Sequence, residues 1–158
     1  MAYSYFCFVL PPMEIEIKKG TPYRCVYALI RADGTTELIT LETKTYLLHD
    51  ICHYVVERQL QYANGFWGML AAGFSFKDLF GKDNPQTAAL MAIEQIVGPI
   101  QAVYSGHILP QDFPQFVAHL QFQITNDMLE ACLQSIEVIM KRWKELSVGE
   151  ALTLEWRF

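Results

Sequence analysis

The sequence predicts a single α+β domain, residues 1–158, in which an antiparallel sheet carries helices on one face. Three observations support this class. Apolar and polar residues alternate in the first third of the chain and again at its end, as in half-buried strands. Between these regions apolar residues recur every three or four positions, as in amphipathic helices. The length matches one ordinary domain, so we expect the last strand to return to the N-terminal sheet.

The first third of the chain is predicted to form strands. An aromatic and apolar strand is expected at residues 3–10, ended by two prolines, and a second strand at residues 13–18, where apolar and charged residues alternate. Residues 23–32 and 35–42 flank Asp33-Gly34, a dipeptide typical of a two-residue hairpin turn. These strands form the N-terminal part of the predicted sheet.

Helical periodicity then replaces the alternation. A helix is expected over residues 46–63, with Asn64-Gly65 as its stop. A second helix is expected after Asn84, which is a favourable N-cap, with Pro85 at the first helical position. Gly98-Pro99 is expected to break or kink this second helix.

Two further helices and a strand complete the predicted order. The sequence favours a shorter helix within residues 110–122 and a long helix that begins between Thr125 and Asp127 and ends before Gly149. Apolar and polar residues alternate over residues 152–158, which predicts the closing strand.

Composition argues against several partners and cofactors. The net charge is −5 and the densest basic stretch lies at a helix end, so we expect no nucleic-acid partner. The chain has no phosphate-binding or dinucleotide-binding glycine motif, so no nucleotide cofactor is expected. No uncharged apolar segment approaches the ~20 residues that cross a bilayer, and the first residues lack the pattern of a signal peptide. We therefore expect a cytoplasmic protein without a membrane partner.

The cysteines and the apolar content carry expectations about the core and the assembly. Cys7, Cys25, Cys52 and Cys132 are far apart and form no C-x-x-C pair, which is typical of reduced core residues. The chain is 52% hydrophobic and 18% charged, a more apolar balance than the usual values of about 45–50% and about 25%. This excess fits an aromatic-rich core, a deep apolar pocket or a subunit interface, and we expect a homo-oligomer.

The first predicted helix carries the residues best suited to chemistry. The segment His49-Asp50-Ile51-Cys52-His53 places two imidazoles four residues apart on one helix face, so both can reach one metal ion. The H-E-x-x-H zinc motif has the same spacing, with its glutamate as general base. Asp50 stands at that position with a carboxylate about 1.5 Å further back. We predict His49 and His53 as ligands of a divalent metal, zinc before other ions, and Asp50 as a base or a shifted ligand.

Glu57 lies one more turn along the same helix. It is about 12 Å from His49 along the axis, near the limit for sharing one ion on a straight helix. We therefore predict that Glu57 accepts a hydrogen bond from His53 and fixes its tautomer. Another ligand has to come from elsewhere in the chain. The candidates for it are Glu94, His107, His119 and Glu137.

Two features of this region leave alternatives open. On a helical wheel His49 lies at the edge of the apolar stripe, and His53 and Glu57 turn towards the polar side, which predicts a semi-exposed metal site. The same pattern is typical of ordinary boundary residues on a solvated face.

Phe66 and Trp67 form either an exposed binding platform or a buried contact between helix and sheet, and burial is favoured.

Two segments follow the Asp-Gly hairpin: H-D-x-x-H-Y-x-V-E at residues 49–57 and G-F-W-G at residues 65–68. In these features the chain resembles a family of small bacterial proteins of unknown function, over about residues 13–75. The resemblance implies that the residues of the first segment act together. They are His49, Asp50, His53 and Glu57.

The sequence is compatible with two functions. The leading hypothesis is a divalent-metal-binding protein that acts as a metal-dependent hydrolase on a small molecule that the sequence does not identify. The alternative is a non-enzymatic module without a metal site, which self-associates through an interface that includes Phe66 or Trp67.

Overall fold

The computed structural model describes residues 11–80 and 87–158 and confirms the α+β class. Its sheet consists of β1 (Met13–Lys19), β2 (Arg24–Ile30), β3 (Thr36–Glu42) and β4 (Ala151–Trp156), in the order β3-β2-β1-β4. All neighbouring strands are antiparallel, and the closing strand pairs with β1 as expected. The strand expected at residues 3–10 lies outside the described residues.

The alternation in the sequence separates the two faces of this sheet. In β1, Met13, Ile15 and Ile17 are buried, whereas Glu14 and Glu16 between them are exposed. Strands β2 and β4 alternate in the same way. An antiparallel sheet with one apolar face has to cover that face, and here the helices cover it.

The hairpin between β2 and β3 has a longer loop than expected. The N–H of Arg31 donates to the carbonyl of Thr35, which encloses three residues rather than two. Gly34 alone in this loop has a positive φ, of 84°, and its N–H donates to the Arg31 carbonyl. This is the three-residue hairpin in which a turn is followed by a left-handed residue. Asp33-Gly34 therefore indicated the turn correctly but not its type.

Helices α1 to α6 are described between β3 and β4. They are α1 (Thr43–Gln59), α2 (Phe66–Ala71), α3 (Phe76–Phe80), α4 (Ala88–Tyr104), α5 (Phe113–Val117, after a 3-10 turn at Pro110–Asp112) and α6 (Asn126–Glu145). Helix α1 packs against both α4 and α6, and it also contacts α2. The candidate site lies where α1 meets α4. No described helix is both long and apolar enough to span a membrane.

Helix α1 ends earlier than the expected stop at Asn64-Gly65. Its last residue is Gln59, and Gln61 takes a left-handed conformation with φ of 52°. The N–H of Tyr62 donates to the carbonyl of Glu57, so the chain turns back here. The early turn brings the start of α2 against the last turn of α1, which matters for the site.

Helix α4 continues through Gly98-Pro99, so of the break or kink that the sequence predicts there, the break is wrong. Ile100 and Val103 extend the buried stripe of this helix beyond the proline, and their burial offsets the lost hydrogen bond. The N-cap of α4 is Thr87, whose side chain accepts from the N–H of Leu90. The expected cap at Asn84 and the proline after it lie outside the described residues.

Candidate metal centre

Two histidines of α1 and one glutamate of α4 form a compact cluster. His53 Nε2 lies 2.8 Å from Glu94 Oε1, and His49 Nε2 lies 3.5 Å from Glu94 Oε2. One potential ligand atom from each residue lies within 4.8 Å of the others. The two imidazole rings have centroids 4.7 Å apart, as the four-residue spacing predicts. The cluster could hold one metal ion.

The second nitrogen of each histidine is also held. His53 Nδ1 donates to Glu57 Oε1 at 2.9 Å, and His49 Nδ1 donates to Gln101 Oε1 at 2.8 Å. A histidine whose Nδ1–H is engaged by an acceptor presents Nε2 to a metal. Both rings are thus oriented so that Nε2 points towards Glu94.

The start of α2 holds the Glu57 carboxylate from the other side. The N–H groups of Phe66 and Trp67 donate to Glu57 Oε1 and Oε2 at 2.7 and 3.1 Å, and Gly68 adds a longer contact of 3.4 Å. Glu57 is completely buried, and a buried carboxylate needs such donors. The hydrogen bonds therefore run from α2 through Glu57 to His53.

Two glycines allow this close approach. A Cβ atom on Gly65 would lie 2.3 Å from the Glu57 carboxyl carbon, and a Cβ atom on Gly68 would lie 1.9 Å from the Ala63 carbonyl oxygen. Real Cβ atoms essentially never make contacts this short. The glycines of the G-F-W-G segment are therefore required by the packing of α2 on the end of α1.

The carboxylates around the cluster favour the protonated form of its histidines. Burial alone would lower the pKa of His53, but its hydrogen bonds to Glu57 and Glu94 raise that pKa to about 9. The hydrogen bond to Glu94 also raises the pKa of His49. Burial would raise the pKa of Glu94, but the two histidines hold it well below its usual range. Two carboxylates thus stabilise positive charge on His53.

Asp50 lies on a different side of α1 from the cluster. Its Oδ2 accepts a hydrogen bond of 2.9 Å from the hydroxyl of Tyr27 on β2, and it is only 1% exposed. Burial raises the pKa of Asp50 to about 7. Trp67 donates its Nε1–H to the Asp50 carbonyl at 2.8 Å. The structure therefore places Asp50 between the sheet and α2. Glu94, and not Asp50, is the carboxylate that lies beside the two histidines.

The expected exposure of the site is only partly correct. The wheel put His53 and Glu57 towards the polar side, yet they are 1% and 0% exposed. The wheel considers one apolar stripe, whereas α1 is covered on this flank by α2 and α4 as well. His49 and Glu94 keep side-chain exposures of 35% and 44%, so solvent reaches the cluster from their side.

Among the four further candidate ligands, the structure brings only Glu94 to the histidines in the part of the chain that it describes. Glu137 instead accepts a hydrogen bond from the hydroxyl of Tyr104. Gln101 was not recognised from the sequence. A signal for it existed, because Glu94 and Gln101 are seven residues apart on one helix face, but the expected break at Gly98-Pro99 separated them.

Phe66 and Trp67 are buried, as the sequence favoured. Their exposures are 6% and 0%, and the Trp67 ring stacks on Tyr27 with centroids 6.2 Å apart. Phe66 also packs beside the His53 ring, at a centroid distance of 5.8 Å. Phe66 therefore packs against the cluster itself, and Trp67 packs against the sheet beside it.

The H-D-x-x-H and G-F-W-G segments thus meet around one carboxylate, that of Glu57. Comparisons of the chain with protein-family models, with curated proteins and with solved structures find no match.

Proposed function

We propose that this protein binds one divalent metal ion through His49 Nε2, His53 Nε2 and the carboxylate of Glu94. The observation that carries the proposal is the orientation of the two rings. Each imidazole has Nδ1 engaged by an acceptor and Nε2 directed at the same carboxylate. Metal-binding histidines in proteins are held in this way by a carboxylate or a carbonyl group.

Zinc is the ion that we propose for this donor set. Two imidazoles and one carboxylate are donors that zinc accepts at about 2.0–2.2 Å, usually in tetrahedral geometry. Zinc sites with four protein ligands are commonly structural, whereas sites with three keep a position for water or substrate. The partial exposure of His49 and Glu94 favours the second type, because water or a substrate could reach an ion held by these residues.

Hydrolysis is the reaction class that we propose for this site. A divalent ion with an open position activates water and polarises a carbonyl or phosphoryl oxygen. Substrate would approach on the side of His49 and Glu94, since His53 is enclosed by Glu57 and Phe66. Asp50 faces Tyr27, so we assign it to the support of α1 and not to proton transfer.

Zinc content measured on protein purified without an affinity tag tests the metal site. After incubation with zinc and gel filtration, we expect close to one zinc ion per chain. Glu94→Gln and His49→Ala should each lower zinc affinity by more than the roughly 10–100-fold that follows loss of an orienting partner. His119→Ala is the matched control, because His119 is exposed and lies outside the cluster.

Folding has to be separated from binding in this test. His53 is buried, so His53→Ala also removes core contacts, whereas Glu94 is 44% exposed and Glu94→Gln conserves its size. Circular dichroism of each variant reports its fold. Unchanged zinc binding in a folded Glu94→Gln variant and in His53→Ala would contradict the proposed ligand set.

A separate assay tests hydrolysis. Zinc-loaded protein is incubated with p-nitrophenyl esters and p-nitrophenyl phosphates, with folded Glu94→Gln as the control. Turnover that the substitution abolishes supports a hydrolase. Turnover equal to that of free zinc, or equal in the variant, removes the hydrolytic part of the proposal and leaves the metal site to its own test.

Self-association stays a prediction, and its expected anchors need revision. Phe66 and Trp67 are buried within the chain, so neither offers a surface to a partner. Light scattering over a range of protein concentrations measures the assembly directly.

A further inference from the structure

A second concave site lies on the other flank of α1. A cavity of about 790 Å³ opens between α1, α6 and β4, whereas the cluster of His49, His53 and Glu94 lies between α1 and α4. Cavities that bind small molecules have volumes of about 300–1,000 Å³. The two sites are separated by α1 itself, so they present different residues of that helix.

Arginine is concentrated around this cavity. Arg58 of α1, Arg142 of α6 and Arg157 after β4 all line it, and they are three of the five arginines in the chain. Glu155 supplies the acidic group of the lining and pairs with Arg157 at 3.4 Å. The cavity wall is thus positive, although the whole chain carries a net charge of −5.

Arg58 is held in place by the wall of the cavity. Its Nη1 donates to the hydroxyl of Tyr54 at 2.7 Å, and its guanidinium carbon lies 5.1 Å from the centroid of the Tyr54 ring. The Tyr54 hydroxyl in turn donates to the carbonyl of Glu155 at 2.9 Å. A guanidinium anchored through one group keeps other N–H donors for a ligand.

Arg58 and Arg142 have no carboxylate within ion-pair distance among the residues that the structure describes. Arg142 makes a long contact of 3.5 Å to the carbonyl of Thr153. Arg31 shows the contrast, because it forms a 2.7 Å ion pair with Glu37. Two guanidinium groups without a carboxylate partner at one cavity favour an anion from outside the chain.

The rest of the lining contains both apolar and uncharged polar side chains, and the polar ones are Gln59, Gln134, Ser135 and Thr153. Val55, Ile139 and Leu154 are buried side chains whose surfaces close the cavity, and Val138 stands exposed at its rim. Contact between these apolar side chains and the apolar part of a ligand removes both from water, which favours binding. We propose that this cavity binds a small organic anion, with its carboxylate or phosphate on Arg58 and Arg142 and its apolar part against these side chains.

Titration of the whole protein with two chemically simple anions tests this proposal. Sodium octanoate carries a carboxylate and monooctyl phosphate carries a phosphate, each on the same apolar chain. Calorimetry should show saturable binding of one molecule per chain for at least one of them, and the tighter probe identifies the head group. NMR amide shifts should map to α6, β4 and the last turns of α1.

Variants show whether the arginines carry the binding. The double variant Arg58→Gln, Arg142→Gln should lower the affinity for the anion by about tenfold or more, because hydrogen bonds to charged groups are stronger than those between neutral groups. Arg24→Gln, at an exposed arginine of β2 outside the cavity, should bind as the unsubstituted protein does. Octan-1-ol, which has the same chain without charge, should bind more weakly than the preferred anion.

Three results would overturn the proposal. One is the absence of saturable binding of both anions at millimolar concentration. The second is an affinity for the anion that is the same in the folded double variant as in the unsubstituted protein, or an affinity for octan-1-ol equal to that for the preferred anion. The third is a set of amide shifts that lies outside the cavity.

Discussion

Gln101 decides which nitrogen of His49 faces Glu94. Its side-chain oxygen accepts from His49 Nδ1 at 2.8 Å, and Glu57 does the same for His53 at 2.9 Å. Without an acceptor at Nδ1, an imidazole can change tautomer or rotate, and its Nε2 is then presented less well to a metal. The orientation of each ring therefore depends on a residue that is not one of the three proposed ligands.

We expect Gln101→Ala to weaken zinc binding by about 10–100-fold, because His49 loses the acceptor that orients it. The free energy of unfolding without metal should change little, since this side chain is only partly buried. Calorimetric zinc titration measures the effect. The control is Gln95→Ala, at an exposed neighbour on the same helix. Equal zinc affinities in the two variants would show that Gln101 does not position His49.

Gly65→Ala should disturb the site without altering any ligand. The added Cβ would lie within 2.3–2.7 Å of the Glu57 carboxylate atoms, so that carboxylate has to leave His53 or the N–H groups of α2. We expect the free energy of unfolding to fall by about 1–3 kcal/mol and zinc affinity to fall as well. Denaturant titration and zinc titration of the same sample measure both. Retention of both values would mean that Glu57 tolerates the methyl group and that its position is not critical.

The sequence predicted the residues of this site only where they are close along the chain. His49, His53 and Glu57 follow from helical spacing, and the contact from His53 to Glu57 is a local one. Glu94 was one of several candidates, because only the packing of α4 on α1 brings it near. Such a contact depends on tertiary structure, which the periodicity of a single helix does not contain.

At the level of elements, the continuity of α4 is what brings Glu94 and Gln101 to the same side. Pro99 lies inside this helix and lacks the N–H that would bond to the carbonyl of Gln95. Local sequence rules predict a break there. The buried side chains on both sides of the proline, among them Ile96 and Ile100, keep the helix continuous.

Pro99→Ala should therefore stabilise the protein. The substitution restores a helical hydrogen bond and removes a ring clash, and we expect the free energy of unfolding to rise by about 1 kcal/mol or more. Pro114→Ala is the control, since Pro114 lies in the first turn of α5, where proline costs little. Denaturant titration measures both. A decrease in stability for Pro99→Ala would mean that the proline is needed for the path of α4.

Most elements, but fewer of their ends, could be predicted from the sequence. The strands alternate and the long helices repeat, so their presence and order follow from side-chain pattern. The end of α1 does not, because Gln61 takes its left-handed conformation where α2 has to fold back onto Glu57. Gly65 was predicted as part of the stop of this helix, and the structure shows that Gly65 and Gly68 both serve close packing.

In the whole molecule, the proposed metal connects α1 and α4, two helices that are far apart in the sequence. A ligand that binds the folded state alone stabilises it, by about 2.7 kcal/mol when its concentration is a hundred times the dissociation constant. We expect added zinc to raise the melting temperature of the wild type, and a chelator to reverse the rise. Glu94→Gln should remove most of the effect. An equal rise in that variant would place the bound zinc elsewhere in the chain.

The whole-molecule class was predictable because it depends on the order of strands and helices, and the structure confirms it. Assembly was inferred from apolar content alone. Much of that content fills the core, including the aromatic side chains of Tyr27, Trp67 and Phe76, which pack together beneath α1 and α2. The composition therefore does not determine the number of subunits.

X-ray absorption spectroscopy of the zinc-loaded protein is the most direct measurement of the proposed centre. We predict nitrogen and oxygen neighbours at about 2.0–2.2 Å, with the outer-shell scattering of two imidazoles and no sulfur. His49→Ala should reduce that scattering to one imidazole. A sulfur neighbour at about 2.3 Å, or a spectrum without imidazole scattering, would contradict a site made by His49, His53 and Glu94.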